Sequence, residues 1–154
     1  MILTLSDFAA TERFAARIAQ AMRPGDAILL AGPLGAGKTA FARALLRAAT
    51  NDPALEVPSP SFTLVQSYAT RRGVVHHFDL WRLDGPSALA ELGWDDARDD
   101  IVLVEWPDRL GALAPPDALR LDFQLTEGDA RTVQIEGDAR TVKIEGWSGR
   151  LADP

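Results

Sequence analysis

The amino-acid sequence predicts a single α/β domain over residues 1–154, in which helices flank a mixed sheet with a parallel core and antiparallel C-terminal strands. Two uninterrupted apolar runs, at residues 27–31 and 101–104, indicate the parallel core, because strands covered on both faces lose the usual apolar–polar alternation. Segments with apolar residues at helical spacing lie on either side of the first run. The length is that of one domain, which buries roughly two-thirds of its unfolded surface.

Three segments are predicted to be helices. The first contains Ser6, a plausible N-cap, places Phe8 on its core face and ends at a Pro-Gly turn. The third is opened by Pro86 and closed by Gly93, residues that are typical of helix starts and ends. The predicted helices cover residues 4–22, 39–49 and 87–92.

Further strands are predicted on both sides of the second apolar run. Residues 62–68 and 74–78 have strand composition and are joined by a polar turn, and residues 119–125 alternate as a half-exposed antiparallel strand would. A nine-residue unit then occurs twice in tandem over residues 127–144, with one substitution between the copies. Each copy offers a Gly-Asp turn and a short strand, so we expect a hairpin at the sheet edge, followed by a short tail at residues 147–154.

Composition limits the classes of function. The formal net charge of −6 argues against a broad basic face that grips nucleic acid, so a partner would have to hold any RNA target. The absence of cysteine excludes disulfides and thiolate metal sites, and His76 with His77 are too few for a histidine zinc site. No apolar run reaches the roughly 18 residues that span a bilayer, and the first residues lack the basic region of a signal peptide. We therefore expect a cytoplasmic protein that does not act at a membrane.

The glycine-rich segment at residues 32–39 matches the pattern G-x-x-x-x-G-K-[ST] at every fixed position, between a predicted buried strand and a helix. Such a P-loop wraps phosphates in backbone N–H groups and points a helix N-terminus at the anion. Lys38 can reach the β- and γ-phosphates, and the Thr39 hydroxyl is a natural Mg²⁺ ligand. The sequence therefore predicts a P-loop NTPase-type domain. The residues expected around the nucleotide are Gly32, Gly35, Ala36, Gly37, Lys38, Thr39 and Ala40.

The second apolar run ends in a carboxylate, Glu105. An acid at the carboxyl end of a strand beside the P-loop is typical of the Walker B pattern, and it supports Mg²⁺ there. Trp106 follows at once, where it could cover the nucleotide, hold the acid in place or be an ordinary core tryptophan. The spacing predicts that Thr39 and Glu105 associate with the metal.

Two further segments are candidates for the site. Asp79 directly follows the strand predicted at residues 74–78, where it could orient an attacking water, support the metal or pair with Arg82 on the surface. His77 shares the strand face of Asp79 and is interpreted as a structural histidine. The proline-stiffened loop that contains Ser61 presents hydroxyl groups as a switch segment would, although such loops are also common without function.

Taken in order, these segments resemble the TsaE family, formerly YjeE, which comprises P-loop ATPases of tRNA threonylcarbamoyladenosine synthesis. The resemblance implies ATP and Mg²⁺ as cofactors and places Lys38, Asp79 and Glu105 in catalysis, with Ser61 and Trp106 at the nucleotide site. It runs from about residue 4 to residue 146. The segments that carry it are residues 32–39, 59–65, 77–83, 91–93 and 103–107.

The resemblance also implies a function for the whole chain. Members of the family hydrolyse ATP and act on the TsaB–TsaD complex, which transfers threonylcarbamoyl to adenosine 37 of tRNAs that read codons starting with A. Because P-loop enzymes without a well-placed arginine finger are slow, we expect weak hydrolysis by the chain alone and stimulation by its partners. The chain would regulate or reset that complex and meet tRNA only indirectly. An arginine such as Arg82 or Arg131 could supply charge in cis.

Two other functions stay open from the residues alone. Many small-molecule kinases share a P-loop and this size, but they carry an arginine-rich lid, and the arginines of this chain are scattered. A nucleotide-binding module without turnover is the other alternative. Release of free phosphate in the absence of any acceptor would favour the ATPase over both.

Overall fold

The computed structural model describes residues 2–33, 35–125, 140–147 and 149–151. Its strands are β1 Ile2–Leu5, β2 Ala27–Ala31, β3 Val65–Thr70, β4 Gly73–Asp79, β5 Ile101–Glu105, β6 Leu119–Leu125 and β7 Arg140–Glu145. Its α-helices are α1 Phe8–Ala21, α2 Lys38–Thr50 and α3 Trp94–Ala97, with 3₁₀ helices at Pro86–Leu92 and Pro107–Leu113. Within the described residues, the strands form one sheet in the order β1-β7-β6-β2-β5-β4-β3. The predicted α/β class with a mixed sheet is confirmed.

Strand β2 lies at the centre of the sheet, parallel to β5 on one side and to β6 on the other. Every residue of β2 and β5 is buried, since helices cover both faces, and this explains their continuous apolar sequence. Strand β4 continues the parallel arrangement, with Asp79 opposite Glu105 in register. The carboxyl ends of β2, β4 and β5 therefore meet at one edge of the sheet, where ligands bind in folds of this kind.

The two long helices pack together on one face of the sheet. Helix α1 is capped by Asp7, whose carboxylate accepts a hydrogen bond from the backbone N–H of Ala10 at 2.8 Å. Its buried side contributes Phe14, whose ring centroid lies 5.7 Å from that of Phe41 in α2, and Phe41 in turn contacts Phe123 of β6 at 5.4 Å. The 3₁₀ helices and α3 cover the opposite face. None of the helices in the described part of the chain is long and apolar enough to cross a bilayer.

The prediction of a helix from residue 4 is wrong at its start. Residues 2–5 form β1, which pairs antiparallel with β7, and the helix begins only at Phe8. Asp7 rather than Ser6 is the N-cap, and the Phe8 side chain is 43% exposed instead of facing the core. The cause is tertiary, because only β7, far along the chain, provides the backbone groups that make a strand of these residues.

Three other predicted elements differ from the structure. The strand predicted at residues 62–68 begins at Val65, since the preceding residues turn back and the Leu64 N–H donates to the Pro60 carbonyl at 2.7 Å. The helix predicted at residues 87–92 is 3₁₀ in type. Strand β6, predicted as antiparallel, is antiparallel only to β7 and is parallel to β2.

The tandem repeat lies largely outside the described residues, including its whole first copy. The strand of the second copy belongs to β7, which lies between β6 and β1 rather than at the sheet edge. The edge position predicted for that strand is therefore wrong, because β1 pairs with its outer side.

Gly32, the first residue of the P-loop, lies against the backbone of β6. A Cβ atom there would be 2.4 Å from the Phe123 carbonyl oxygen, and the backbone has a φ of +133°. We expect Gly32→Ala to lower the free energy of unfolding by about 3 kcal/mol or more, since overpacking and backbone strain each cost about 1–3 kcal/mol. Urea unfolding measures this loss.

Gly85→Ala is the matched control, because its Cβ would meet nothing within 4 Å. Its backbone is extended, with a φ of 173°, which any residue adopts. Equal stability of the two variants would contradict the close approach of the P-loop to β6.

Candidate functional site

The P-loop connects β2 to α2, at the sheet edge where the carboxyl ends of the parallel strands meet. Gly35 and Gly37 both have positive φ, of 76° and 108°, which allows the main chain to curl around an anion. Gly37 is the residue before α2, so the free N–H groups of the first helical turn face the same space. Glycine adopts this positive-φ conformation without the steric cost that a Cβ atom would impose.

Lys38 is buried and folded back onto the loop that precedes it. Its ammonium group donates hydrogen bonds to the carbonyl oxygens of Gly32 and Pro33, the latter at 3.4 Å, and lies 3.5 Å from the ring centroid of Trp106. Burial lowers the pKa of Lys38 from its ordinary value, and the negative charges nearby, with Glu105 the strongest, oppose that shift. The charge is therefore held by weak partners that a phosphate can replace.

Thr39 and Glu105 meet at the base of the site. The Thr39 hydroxyl donates to Oε1 of Glu105 at 2.9 Å, and Oε2 of Glu105 is 2.7 Å from Nε2 of His77. Glu105 and His77 are both buried, with 2% and 0% of the residue exposed. The contact with Glu105 was not predicted for His77, because residues 28 positions apart carry no local signal of contact.

Asp79, the register partner of Glu105, and Ser61 also line the site. Oδ2 of Asp79 accepts a hydrogen bond from the Ser61 hydroxyl at 3.3 Å, and Oδ1 accepts one from the Trp81 backbone N–H at 3.1 Å. The Ser59 and Ser61 hydroxyls are 2.8 Å apart. Arg82, the alternative partner predicted for Asp79, instead stacks on Phe62 with its guanidinium carbon 4.6 Å from the ring centroid.

Two tryptophans cover the site. Trp106 has a φ of 60°, a left-handed conformation that costs a non-glycine residue about 1–2 kcal/mol. Its ring lies over Lys38 and contacts Trp81, with 4.4 Å between ring centroids. Strain of this kind persists where the surrounding structure holds it, and it often marks a functional site.

These groups surround a cavity of about 370 Å³. Of the predicted site residues, nine line it and two, Gly32 and Ala36, do not; Ser59 and Trp81 line it without having been predicted as site residues. Both belong to segments the sequence had singled out, but the inward direction of their side chains depends on the packing. The predicted residues at the cavity are Gly35, Gly37, Lys38, Thr39, Ala40, Ser61, Asp79, Glu105 and Trp106.

The donor set fits one hard cation held together with a polyphosphate. Among the described residues, no group of three or more His, Asp or Glu side chains could hold a metal ion by itself. The Thr39 hydroxyl and the Glu105 carboxylate, which are 2.9 Å apart, are oxygen ligands of the kind that Mg²⁺ binds. Phosphate oxygens and water would complete such a site.

Comparison with known proteins identifies relatives over most of the chain. A family model described as "Threonylcarbamoyl adenosine biosynthesis protein TsaE" matches residues 5–133. The "tRNA threonylcarbamoyladenosine biosynthesis protein TsaE" of Rickettsia felis is 32% identical over 135 residues, covering 87% of this chain and 78% of the relative. The protein of the same name from Aquifex aeolicus is 34% identical over 125 residues, covering 81% of this chain and 87% of the relative.

A solved structure has the same fold. The crystal structure of Bacillus subtilis YdiB matches with a TM-score of 0.72 and 22% sequence identity, over 98% of this chain and 88% of that one. The match extends the fold comparison to nearly the whole length of both chains.

Proposed function

The chain belongs to the TsaE family, and we propose that it is a Mg²⁺-dependent P-loop ATPase of tRNA threonylcarbamoyladenosine biosynthesis. The observation that supports this proposal is that Lys38, Thr39, Glu105, Ser61 and Asp79 line one cavity. The first three residues have the groups that would bind a triphosphate and its metal. Asp79 and Ser61 add a carboxylate and a hydroxyl that could orient water.

Thr39 and Glu105 would hold Mg²⁺, with Glu105 acting directly or through a water ligand. The ion would neutralise charge that develops on the phosphates. Lys38 would leave the Gly32 carbonyl and the Trp106 ring and turn its ammonium group to the β- and γ-phosphates. The loop glycines and the first turn of α2 would bind the phosphate oxygens through backbone N–H groups.

Asp79 would orient the attacking water by accepting a hydrogen bond from it. Its Oδ2 already accepts a hydrogen bond from the Ser61 hydroxyl, which connects the Ser61 loop to the carboxylate. A γ-phosphate bound beside Ser61 would therefore move the loop and the carboxylate together. The two tryptophans would exclude bulk water from the side of Lys38.

Slow turnover follows from the charges at the cavity. Within the described residues no arginine lines it, and Arg82 is engaged with Phe62. Arg131 lies outside the described residues. Lys38 and the metal alone would then stabilise the charge of the transition state, as in slow P-loop enzymes that lack an arginine finger.

The partners of this activity would be the TsaB and TsaD proteins in the cytoplasm. The net charge of −6 fits a protein that engages other proteins and leaves tRNA to the complex. ATP hydrolysis would reset or regulate that complex, and the chain would not transfer the threonylcarbamoyl group itself.

We expect the isolated chain to release phosphate from ATP at about 10⁻⁴ to 10⁻³ s⁻¹, and TsaB with TsaD to accelerate that release. A phosphate-release assay with and without the partners measures both rates. Free phosphate formed without an acceptor separates the ATPase from a kinase, and binding without any turnover would identify a nucleotide-binding module. Fast hydrolysis that the partners leave unchanged would contradict the proposal.

A further inference from the structure

His77 is completely buried in β4, beside the strand that ends in Glu105. Its Nε2 lies 2.7 Å from Oε2 of Glu105, while its Nδ1 is buried without a hydrogen-bond partner. A buried N–H without an acceptor is costly, whereas a bare ring nitrogen forgoes only an acceptor role. The arrangement therefore favours a ring that carries its proton on Nε2 and donates it to Glu105.

This donation determines how Glu105 is presented. With Oε2 held by His77, Oε1 is the oxygen that Thr39 contacts at 2.9 Å. Both oxygens thus have assigned partners, and the carboxylate plane is fixed between β4 and α2. Hydrogen bonds to the ligands of metal sites generally fix the orientation of those ligands. The lone pairs of Glu105 that stay free therefore point in one direction.

We propose that His77 is a positioning residue for Mg²⁺ binding: it orients Glu105 by an Nε2–H hydrogen bond and thereby sets the metal affinity of the Thr39–Glu105 pair. The inference rests on the proposed function, since it concerns the same metal site. The proposed role of His77 differs from a packing role because it requires a hydrogen-bond donor at the position of Nε2.

The neighbouring His76 provides the matched control. Its ring also bridges two groups, with Nδ1 2.7 Å from the Ser67 hydroxyl and Nε2 2.8 Å from Asp100, but none of these lines the cavity. The two histidines are adjacent in one strand and point to opposite faces of the sheet. A general effect of altering β4 would appear at both positions, and an effect on Glu105 only at His77.

The test compares His77→Gln, His77→Asn, His77→Leu and His76→Asn. Glutamine extends its amide N–H about as far as Nε2 does, whereas asparagine is one methylene shorter and leucine has no donor. Calorimetric titration of Mg²⁺ into each protein mixed with ATP, after subtraction of the same titration into ATP alone, gives the apparent metal affinity, and titration of ATP in EDTA gives nucleotide binding without metal. Thermal unfolding in EDTA shows which variants are folded.

We expect His77→Asn and His77→Leu to weaken the apparent Mg²⁺ affinity by about tenfold or more, with ATP binding in EDTA unchanged. The apparent Mg²⁺ affinities of His77→Gln and His76→Asn are expected to stay within about threefold of that of the original protein. If only one of His77→Asn and His77→Leu folds, that variant is sufficient for the test. Unchanged Mg²⁺ affinity in a folded His77→Asn or His77→Leu, or an equal loss in His77→Gln, would overturn the inference. Failure of the original protein to bind Mg²⁺ and ATP at all would instead remove the proposed function.

Discussion

Lys38→Ala is expected to lower the affinity for ATP with Mg²⁺ by about 100-fold or more and to abolish measurable hydrolysis. Hydrogen bonds from a charged donor contribute about 1.5–3 kcal/mol each, and the ammonium group would make them to two phosphates, so a loss of about 3 kcal/mol is expected. Calorimetry measures the affinity and a phosphate-release assay the hydrolysis.

The fold should survive this change. The ammonium group is bound in the structure by carbonyl oxygens and an aromatic ring, and burial lowers its pKa, so its charged form is disfavoured by folding. Arg43→Ala is the control, because it removes one positive charge from the same helix without altering the lining of the cavity. ATP affinity that is equal in both variants would contradict the assignment of the phosphate site.

Glu105→Ala is expected to reduce ATP hydrolysis by about 100-fold or more while leaving ATP binding in EDTA nearly intact. The variant removes the carboxylate that contacts Thr39, so the metal would lose one of the two side chains that hold it. Mg²⁺ should then no longer strengthen ATP binding as it does in the original protein. Single-turnover hydrolysis and calorimetry with and without Mg²⁺ measure these effects.

Glu105→Gln separates charge from shape, since it keeps an oxygen near Thr39 and loses the negative charge. Glu91→Ala is the control for removing an exposed carboxylate elsewhere. Full hydrolysis in Glu105→Ala would exclude Glu105 from the reaction. Loss of ATP binding in EDTA would show that Glu105 acts on the structure of the P-loop instead.

Much of the site could be predicted because its parts are short segments with strict local requirements. The P-loop needs glycines at fixed spacing before a lysine and a hydroxyl residue, so eight consecutive residues define it. The runs that became β2 and β5 are apolar throughout because both faces are covered. An acid at the end of β5 must lie at the same sheet edge as the P-loop. These features allowed Lys38, Thr39 and Glu105 to be placed together.

Other features depend on contacts between distant residues, and no local pattern encodes them. Residues 2–5 become a strand only because β7 pairs with them, and β6 has a parallel partner only because β2 lies beside it. The path of a loop decides that Arg82 stacks on Phe62. Asp79 then accepts its side-chain hydrogen bond from Ser61.

The sequence by itself therefore determined the fold class, the glycine-rich turn before α2 and the acid at the strand end, since each follows from residue type and spacing within a few positions. Only the tertiary structure decided which side chains touch across the sheet edge. In that structure the Lys38 side chain folds back under the Trp106 ring, and the His77 ring contacts the Glu105 carboxylate. The physical reason is that a side-chain hydrogen bond requires atoms within about 3 Å, and that separation is set by the packing of whole elements.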